Sequence, residues 1–506
     1  MNVFILLFAI ISTANTENQE QSWKFTDISE FFKNQTNKVN EFFDEQKLKI
    51  ETAVNSSYEE AVNFKENIDN YVDEQKKIIN KEVNSYVDTI KEQGRKVADT
   101  WSYVPNEVVE RNRHDGGATE FTDAMLTVPT IISRNGYICE THTVISEGYV
   151  LNVHRIPRSK NGGAVSTKTV LLQHGIFASS ADWILNGPQK ALAYVLADAG
   201  YDVWIPNIRG NRYSKEHTWW KADSKEYWNF SWHDVAIHDI PAVIDYIMKL
   251  KGQDTKITYI GHSMGTTILF TMLALRPEYN DILKAGIALA PVVFMSDIKS
   301  PLKSLAPIAS NVAYMEMIYG SHEFIPKAST LGEMTKSCEA KLKDTMVCNH
   351  IVFYLCGYDK VQMNETLLPV FLAHFGTGTS WKTLVHFAQE IVSAGKYQYF
   401  DYGSYYNEKI YGTETPPEYD LSKITLPITL FWAKNDLLSS ERDVKILQEK
   451  LPVTTKSYLV PYPEFNHLDY LWAIDAPRLI NDKVLSSLDE YFENKPKHFS
   501  FRFHFK

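Results

Sequence analysis

A chain of 506 residues exceeds the size at which a single hydrophobic core usually stops growing, so two or three structural units are expected. Hydrophobic residues make up 44% and charged residues 23%, a globular balance that excludes wholesale disorder. The formal charge of −10 supplies no cationic field for phosphate backbones or anionic bilayers, which argues against a nucleic-acid partner.

The chain opens on an apolar stretch from Val3 to Ile11 that ends in Ser12, Thr13 and Ala14, which predicts a signal peptide over 1–14. That stretch is too short to span a bilayer, and no later run of about 20 apolar residues follows, so no transmembrane anchor is expected. Secretion or lysosomal delivery follows from the leader. Four cysteines, Cys139, Cys338, Cys348 and Cys356, allow one or two bridges in an oxidising compartment, with Cys338 and Cys348 the closest pair able to close a loop. Asn34, Asn55, Asn229 and Asn364 head Asn-X-Ser/Thr tripeptides and are glycosylation candidates; at Asn229 burial is the competing reading.

Residues 15–115 read as a long helical extension. Between Trp23 and Trp101 there is no proline and one glycine, Gly94, and apolar residues recur every 11 positions: Ile28, Val39, Ile50, Ala61, Val72 and Val83 form one such series. Phe31, Phe42, Ala53 and Phe64 form a second, and Ile68, Ile79, Ile90 and Trp101 a third. A repeat of 11 keeps one apolar stripe along a nearly straight helix. The stripe suits packing on itself or on the rest of the protein. Adsorption to a neutral lipid surface is a second reading, since the polar face is acidic, and partial disorder a third.

After the Gly116-Gly117 break, short apolar runs alternate with helical patterns, the signature of a parallel sheet with crossover helices. Runs at 170–173, 202–205, 257–260, 285–289 and 428–432 are of the fully buried parallel-strand type. The interval 293–419 between the fourth and fifth runs is punctuated by proline, rich in aromatics and holds three of the four cysteines. It is expected to be a cap inserted over the carboxyl edge of the sheet. Core residues therefore fall in two parts, 116–292 and 420–495, with an aromatic and basic tail over 496–506.

Gly261-His262-Ser263-Met264-Gly265 follows one of these strands and opens an apolar helix, the strand-turn-helix context in which a Gly-X-Ser-X-Gly turn exposes a nucleophilic serine. An ordinary glycine-rich turn is the competing reading, and the flanking elements argue against it. A serine nucleophile needs a base and an orienting carboxylate, which follow in the chain order serine, acid, histidine in α/β-hydrolases. Asp436, just beyond the run 428–432, is the candidate acid, with Asp443 its nearest competitor. His467 is the candidate base; only His498 and His504, both in the tail, also lie beyond the last strand. The amides of Met264 and of Ile176, in the loop after the run 170–173, are the candidate oxyanion donors. His174 precedes the nucleophile and is expected to shape that loop.

With these residues assembled, the chain resembles the acid lipase family that includes gastric and lysosomal acid lipases, over roughly residues 127–492. The resemblance rests on ordered matches: Gly148 to Leu151, His154 to Pro157, His174-Gly175 with Ala178 to Ser180 and Trp183, Asn207 to Ser214, Phe230-Ser231, Asp239 to Ala242, Gly261 to Ser263, Asn435 to Leu438, and Asn466 to Asp469 running into Trp472-Ala473 and Asp475 to Pro477. It implies an α/β-hydrolase fold with an inserted cap domain and the triad Ser263, Asp436 and His467. It also implies oxyanion amides at Ile176 and Met264, a Cys338–Cys348 bridge and a free Cys356. Met264 stands where glutamine is common in the family, while the long N-terminal repeat and the tail are not family features. The implied activity is hydrolysis of a lipid ester through an acyl-enzyme, with no metal and no organic cofactor required. A carboxylesterase acting on soluble short-chain esters, and a lipid-binding protein whose helical repeat is a lipid-surface module, are the rival readings.

Overall fold

The computed structural model describes residues 121–310, 323–324, 353, 355–393, 395–453 and 455–493. The expected signal peptide over 1–14, the expected helical extension over 15–115, Asn34, Asn55, Cys338, Cys348 and the tail over 496–506 lie outside the described residues.

The framework is one twisted sheet of nine strands. Strands β1 (Glu140–Ser146) and β2 (Tyr149–Ile156) form an antiparallel hairpin, closed by a two-residue turn at Glu147 and Gly148, both at positive φ. Strands β3 (Thr169–Gln173) and β4 (Asp202–Pro206) follow, with the two-residue β5 (Glu216–His217) pairing on β2. The sheet is completed by β6 (Ile257–His262), β7 (Leu283–Leu289), β10 (Ile428–Trp432) and β11 (Lys456–Leu459). Their order across the sheet is β1-β2-β4-β3-β6-β7-β10-β11. From β4 to β11 every pairing is parallel, and β2 meets β4 antiparallel. Two further short strands, β8 (Glu323–Phe324) and β9 (Thr379–Ser380), pair with each other and, among the described residues, with no other strand.

Side chains alternate across the pleat and build two cores. Val170 and Leu172 of β3, Val203 and Ile205 of β4, and Ile260 of β6 point into one. Leu171, Trp204 and Tyr259, one residue out of step, point into the other. Helices cover both faces, so the central strands are buried along their whole length. The first core is closed by α1 (Val128–Arg134) and α2 (Leu192–Asp198). The second is closed by α3 (Ile240–Lys251), which carries Pro241 in its first turn and stops at Gly252 with φ of 111°.

Helix α4 (Met264–Leu275) is buried on all sides except at its last residue and packs against β6. The interval between β7 and β10 includes α5 (Leu368–His374) and α6 (Trp381–Val392). Part of that interval belongs to the first core: Phe371 of α5 stacks on Trp472 at 4.6 Å, and Met363 bridges to Ala473. Helix α7 (Ser404–Tyr411) lies later in the interval, and α8 (Glu441–Lys450) and α9 (Asp482–Glu493) follow β10 and β11.

Candidate active site

Strand β6 ends in a turn so tight that its nucleophile candidate is forced out of the ordinary backbone regions. Ser263 has φ of 54° and ψ of −121°, a conformation that costs a non-glycine residue energy and projects its side chain clear of the backbone. The flanking glycines make the turn possible. A Cβ on Gly261 would lie 2.6 Å from the Gly265 carbonyl oxygen, and one on Gly265 would run into the carbonyl oxygen of Gln173 on β3. Gly175 also lies close, its would-be Cβ 3.1 Å from Ser263 Cβ.

The three side chains singled out from the sequence meet at this turn. His467 Nε2 lies 2.8 Å from Ser263 Oγ, and His467 Nδ1 lies 2.9 and 3.0 Å from the two oxygens of Asp436. Asp436 can only accept, so Nδ1 carries the proton and Nε2 is left to accept from the Ser263 hydroxyl. Asp436 Oδ1 also receives the amides of Leu438 (2.9 Å) and Ser439 (2.8 Å), which set the carboxylate's orientation. All three residues are buried, Ser263 at 8% exposure and Asp436 at 1%.

Asp443 is elsewhere: its carboxylate receives the Ser440 and Ser296 hydroxyls at the start of α8. His174 donates from Nδ1 to the Gly175 carbonyl, and its Nε2 faces the Asn211 side chain (3.3 Å) and the Ile208 amide. Burial holds its pKa down to about 4. The amides of Ile176 and Met264 donate to no acceptor among the described residues. Phe177, the next residue at φ of 60°, presents its carbonyl to the amides of Gly376 and Thr377, so the loop after β3 is pinned to the segment following α5.

Of the remaining candidates, Asn229 is exposed and accepts from Lys382 Nζ, so the burial considered for it does not occur. Asn364 is half-buried, its Oδ1 receiving the amides of Thr366 and Leu367 just before α5. Cys139 and Cys356 are free thiols.

Comparison with known proteins places this geometry in a family. A model of the alpha/beta hydrolase fold matches residues 168–474, and a model of a partial alpha/beta-hydrolase lipase region matches residues 128–187. Lipase 3 of Drosophila melanogaster is 39% identical over an alignment covering 71% of this chain and 92% of that protein. Gastric triacylglycerol lipase is 38% identical in Rattus norvegicus, covering 73% of this chain and 93% of the relative, and 35% identical in Homo sapiens, covering 74% and 93%. The chain belongs to the acid lipase family of the α/β-hydrolase fold. It is an ester hydrolase of the lipase type.

The lipase site also contains residues that the sequence alone did not single out. His262, inside the Gly-His-Ser turn, donates from Nε2 to the His467 carbonyl at 2.8 Å. Burial, and then its neighbour His467, push its pKa down to about 3, so it stays neutral. The Cys356 carbonyl accepts from both the His467 amide (3.3 Å) and the Leu437 amide (3.4 Å), joining the acid loop to the base loop. Gly357 makes that junction possible: at φ of 115° it lies against Asn435, where a Cβ would run into the Asn435 carbonyl oxygen. Asn435 Nδ2 donates in turn to the carbonyls of Tyr358 (2.8 Å) and Glu464 (2.6 Å). These are contacts between segments separated by tens to hundreds of residues. The Asx turn at Asn466 was the local hint available.

No described helix is long and apolar enough to cross a membrane.

Proposed function

We propose that this lipase cleaves a triglyceride or sterol ester through an acyl-enzyme on Ser263. His467 Nε2 takes the hydroxyl proton as Oγ attacks the ester carbonyl, and the imidazolium then protonates the departing alcohol. Asp436 keeps the proton of Nδ1 in place and stabilises the charged ring. The free amides of Ile176 and Met264 receive the oxyanion; one such donor is worth about 10² to 10³ in turnover. Water, deprotonated by the same histidine, releases the fatty acid. The single observation that carries this reading is the unbroken line from Ser263 Oγ through both nitrogens of His467 to Asp436, with steps of 2.8 and 2.9 Å.

A greasy substrate is supported by the named substrate of the gastric relatives, triacylglycerol. We assign the interval 293–419 as a cap that encloses the acyl chain, and residues 1–14 as a leader for secretion or lysosomal delivery. Glycans at Asn34, Asn55, Asn229 and Asn364 and a Cys338–Cys348 bridge fit that route. For residues 15–115 we propose a packing face or a lipid-surface module; deleting 23–101 and measuring droplet adsorption separates the two.

The test is hydrolysis of an emulsified long-chain triglyceride and a soluble short-chain ester by the full-length protein and by Ser263→Ala. Emulsion activity that vanishes in the variant supports the reading. Activity confined to the soluble ester would favour the carboxylesterase, and activity surviving in Ser263→Ala would remove the nucleophile.

A further inference from the structure

Two carboxyl groups that the triad does not use meet beside His467. Asp469 lies two residues beyond the histidine, and Asp359 lies three residues beyond Cys356, on the segment whose carbonyl receives the His467 amide. Both are buried, Asp469 at 0% and Asp359 at 1% exposure. One oxygen of each is used locally. The Asn466 amide donates to Asp469 Oδ2 at 2.7 Å, and the amides of Val361 and Gln362 donate to Asp359 Oδ1 at 3.1 Å. The other two oxygens, Asp359 Oδ2 and Asp469 Oδ1, are buried and receive no donor among the described residues. The two side chains nevertheless lie within hydrogen-bonding reach of each other. Two buried acceptors can face each other only when a proton lies between them.

We propose that Asp359 and Asp469 share one proton, and that this carboxyl–carboxylate bond is a positioning device that clamps the His467 loop onto the 356–363 segment. The proposal rests on the triad reading above. It completes a turn already held by Asn466, whose Oδ1 receives the amides of Leu468 (2.8 Å) and Asp469 (3.2 Å). On the far side, Gln362 holds Asp475 through its own side chain, and its carbonyl receives the Ile474 amide. With the clamp in place, His467 is held by its amide, by its carbonyl through His262, and by the turn that carries it.

The groups facing the pair favour keeping the proton. Glu464 acts on Asp359 and Asp436 on Asp469, both with the same sign of charge. Tyr470, Tyr462 and the Cys356 thiol, each under the influence of Asp469, are themselves held in their neutral forms, chiefly by burial. Lys360 flanks Asp359 in the chain, and Asp475 lies beyond Gln362. Burial, the largest cause, raises Asp359 to about 6 and Asp469 well above the usual carboxylate range. A folded-state pKa above the unfolded one means that this contribution is present at low pH and lost as pH rises through the folded value. Stripping the shared proton leaves two buried like charges that must separate, moving the His467 loop.

The experiment is the pH profile of kcat and kcat/KM on a soluble ester for the full-length protein, Asp469→Asn, Asp359→Asn, the double Asn variant, Asp469→Ala and Ser263→Ala. Each single Asn variant sets one amide donor against one acceptor and needs no proton, so it should keep wild-type turnover at acidic pH and move the alkaline limb upward by about one unit or more. The double variant sets two amide donors face to face, and Asp469→Ala removes the contact. Both should lose about tenfold or more in kcat, more than the product of the single effects, with KM little changed. An alkaline limb unmoved in both single variants overturns the proposal, whether or not the double variant folds; so does a double variant no worse than the singles. Activity that survives in Ser263→Ala refutes the triad instead, which separates the two failures.

Discussion

Replacing Asp436 with asparagine changes which nitrogen of His467 carries the proton while leaving the packing intact. Asp436 Oδ1 receives the Leu438 and Ser439 amides, and the substituted asparagine can keep both with its own carbonyl oxygen. Its amide nitrogen then takes the place of Oδ2, 2.9 Å from His467 Nδ1. Two donors cannot face each other, so Nδ1 must become the acceptor and the ring proton moves to Nε2. There it points at Ser263 Oγ, 2.8 Å away, and the histidine can no longer take the hydroxyl proton. The same carboxylate-to-amide change in a serine protease triad lowers kcat about 10⁴-fold, equivalent to about 5 kcal/mol of barrier. Asp436→Asn should therefore lose about 10³ to 10⁴ in kcat on a soluble ester, with KM within a few-fold and thermal melting shifted by no more than a few degrees. Turnover within tenfold of the wild type, in a protein that melts normally, would refute the assignment of Asp436 as the group that orients His467.

Other expectations follow from the surroundings of the site. Gly357→Ala adds a Cβ where the Asn435 carbonyl lies and at a φ of 115°, so it should push the acid and base loops apart. It should cost about 1–3 kcal/mol of stability and at least about tenfold in kcat, read by denaturant melts and ester turnover; a variant with wild-type turnover would show that the junction does not matter. Asp182 is buried and its carboxyl is pushed up to about 7 by desolvation alone. Since the folded pKa exceeds the unfolded one, the native state binds more protons between about pH 4 and 7, and stability falls as pH rises across that window. Asp182→Asn should flatten this fall and raise stability above pH 7 by at most about 4 kcal/mol, measured by melts across the pH range.

How much was legible in the sequence follows from where each element sits. Strands β3, β4, β6, β7 and β10 are covered by helices on both faces, so each appears as a short, largely apolar run. The β1–β2 hairpin escaped because β1 has one wet face, Thr141, Thr143 and Ile145, and its inner face begins with the polar Glu140 and His142, although its Glu147-Gly148 turn was a usable signal. Ser263 was legible because a strand, a glycine-flanked turn and a helix are contiguous in the chain. Asp436 and His467 were found through chain order rather than through any local feature. The roles of His262, Cys356, Asp359 and Asp469 were not read from the sequence, because what distinguishes them is a contact between residues remote in the chain. Nothing in the residues around Cys356 states that its carbonyl will receive two amides, from Leu437 and His467.

The most direct test of the central claim is to trap the acyl-enzyme intermediate's position chemically. The full-length protein would be treated with a long-alkyl organophosphonate, digested, and mapped by mass spectrometry, with His467→Ala and Ser263→Ala in parallel. One stoichiometric adduct is expected on the peptide containing Ser263, formed slowly or not at all in His467→Ala and absent from Ser263→Ala. An adduct on another serine, or inhibition without any adduct on Ser263, would contradict it.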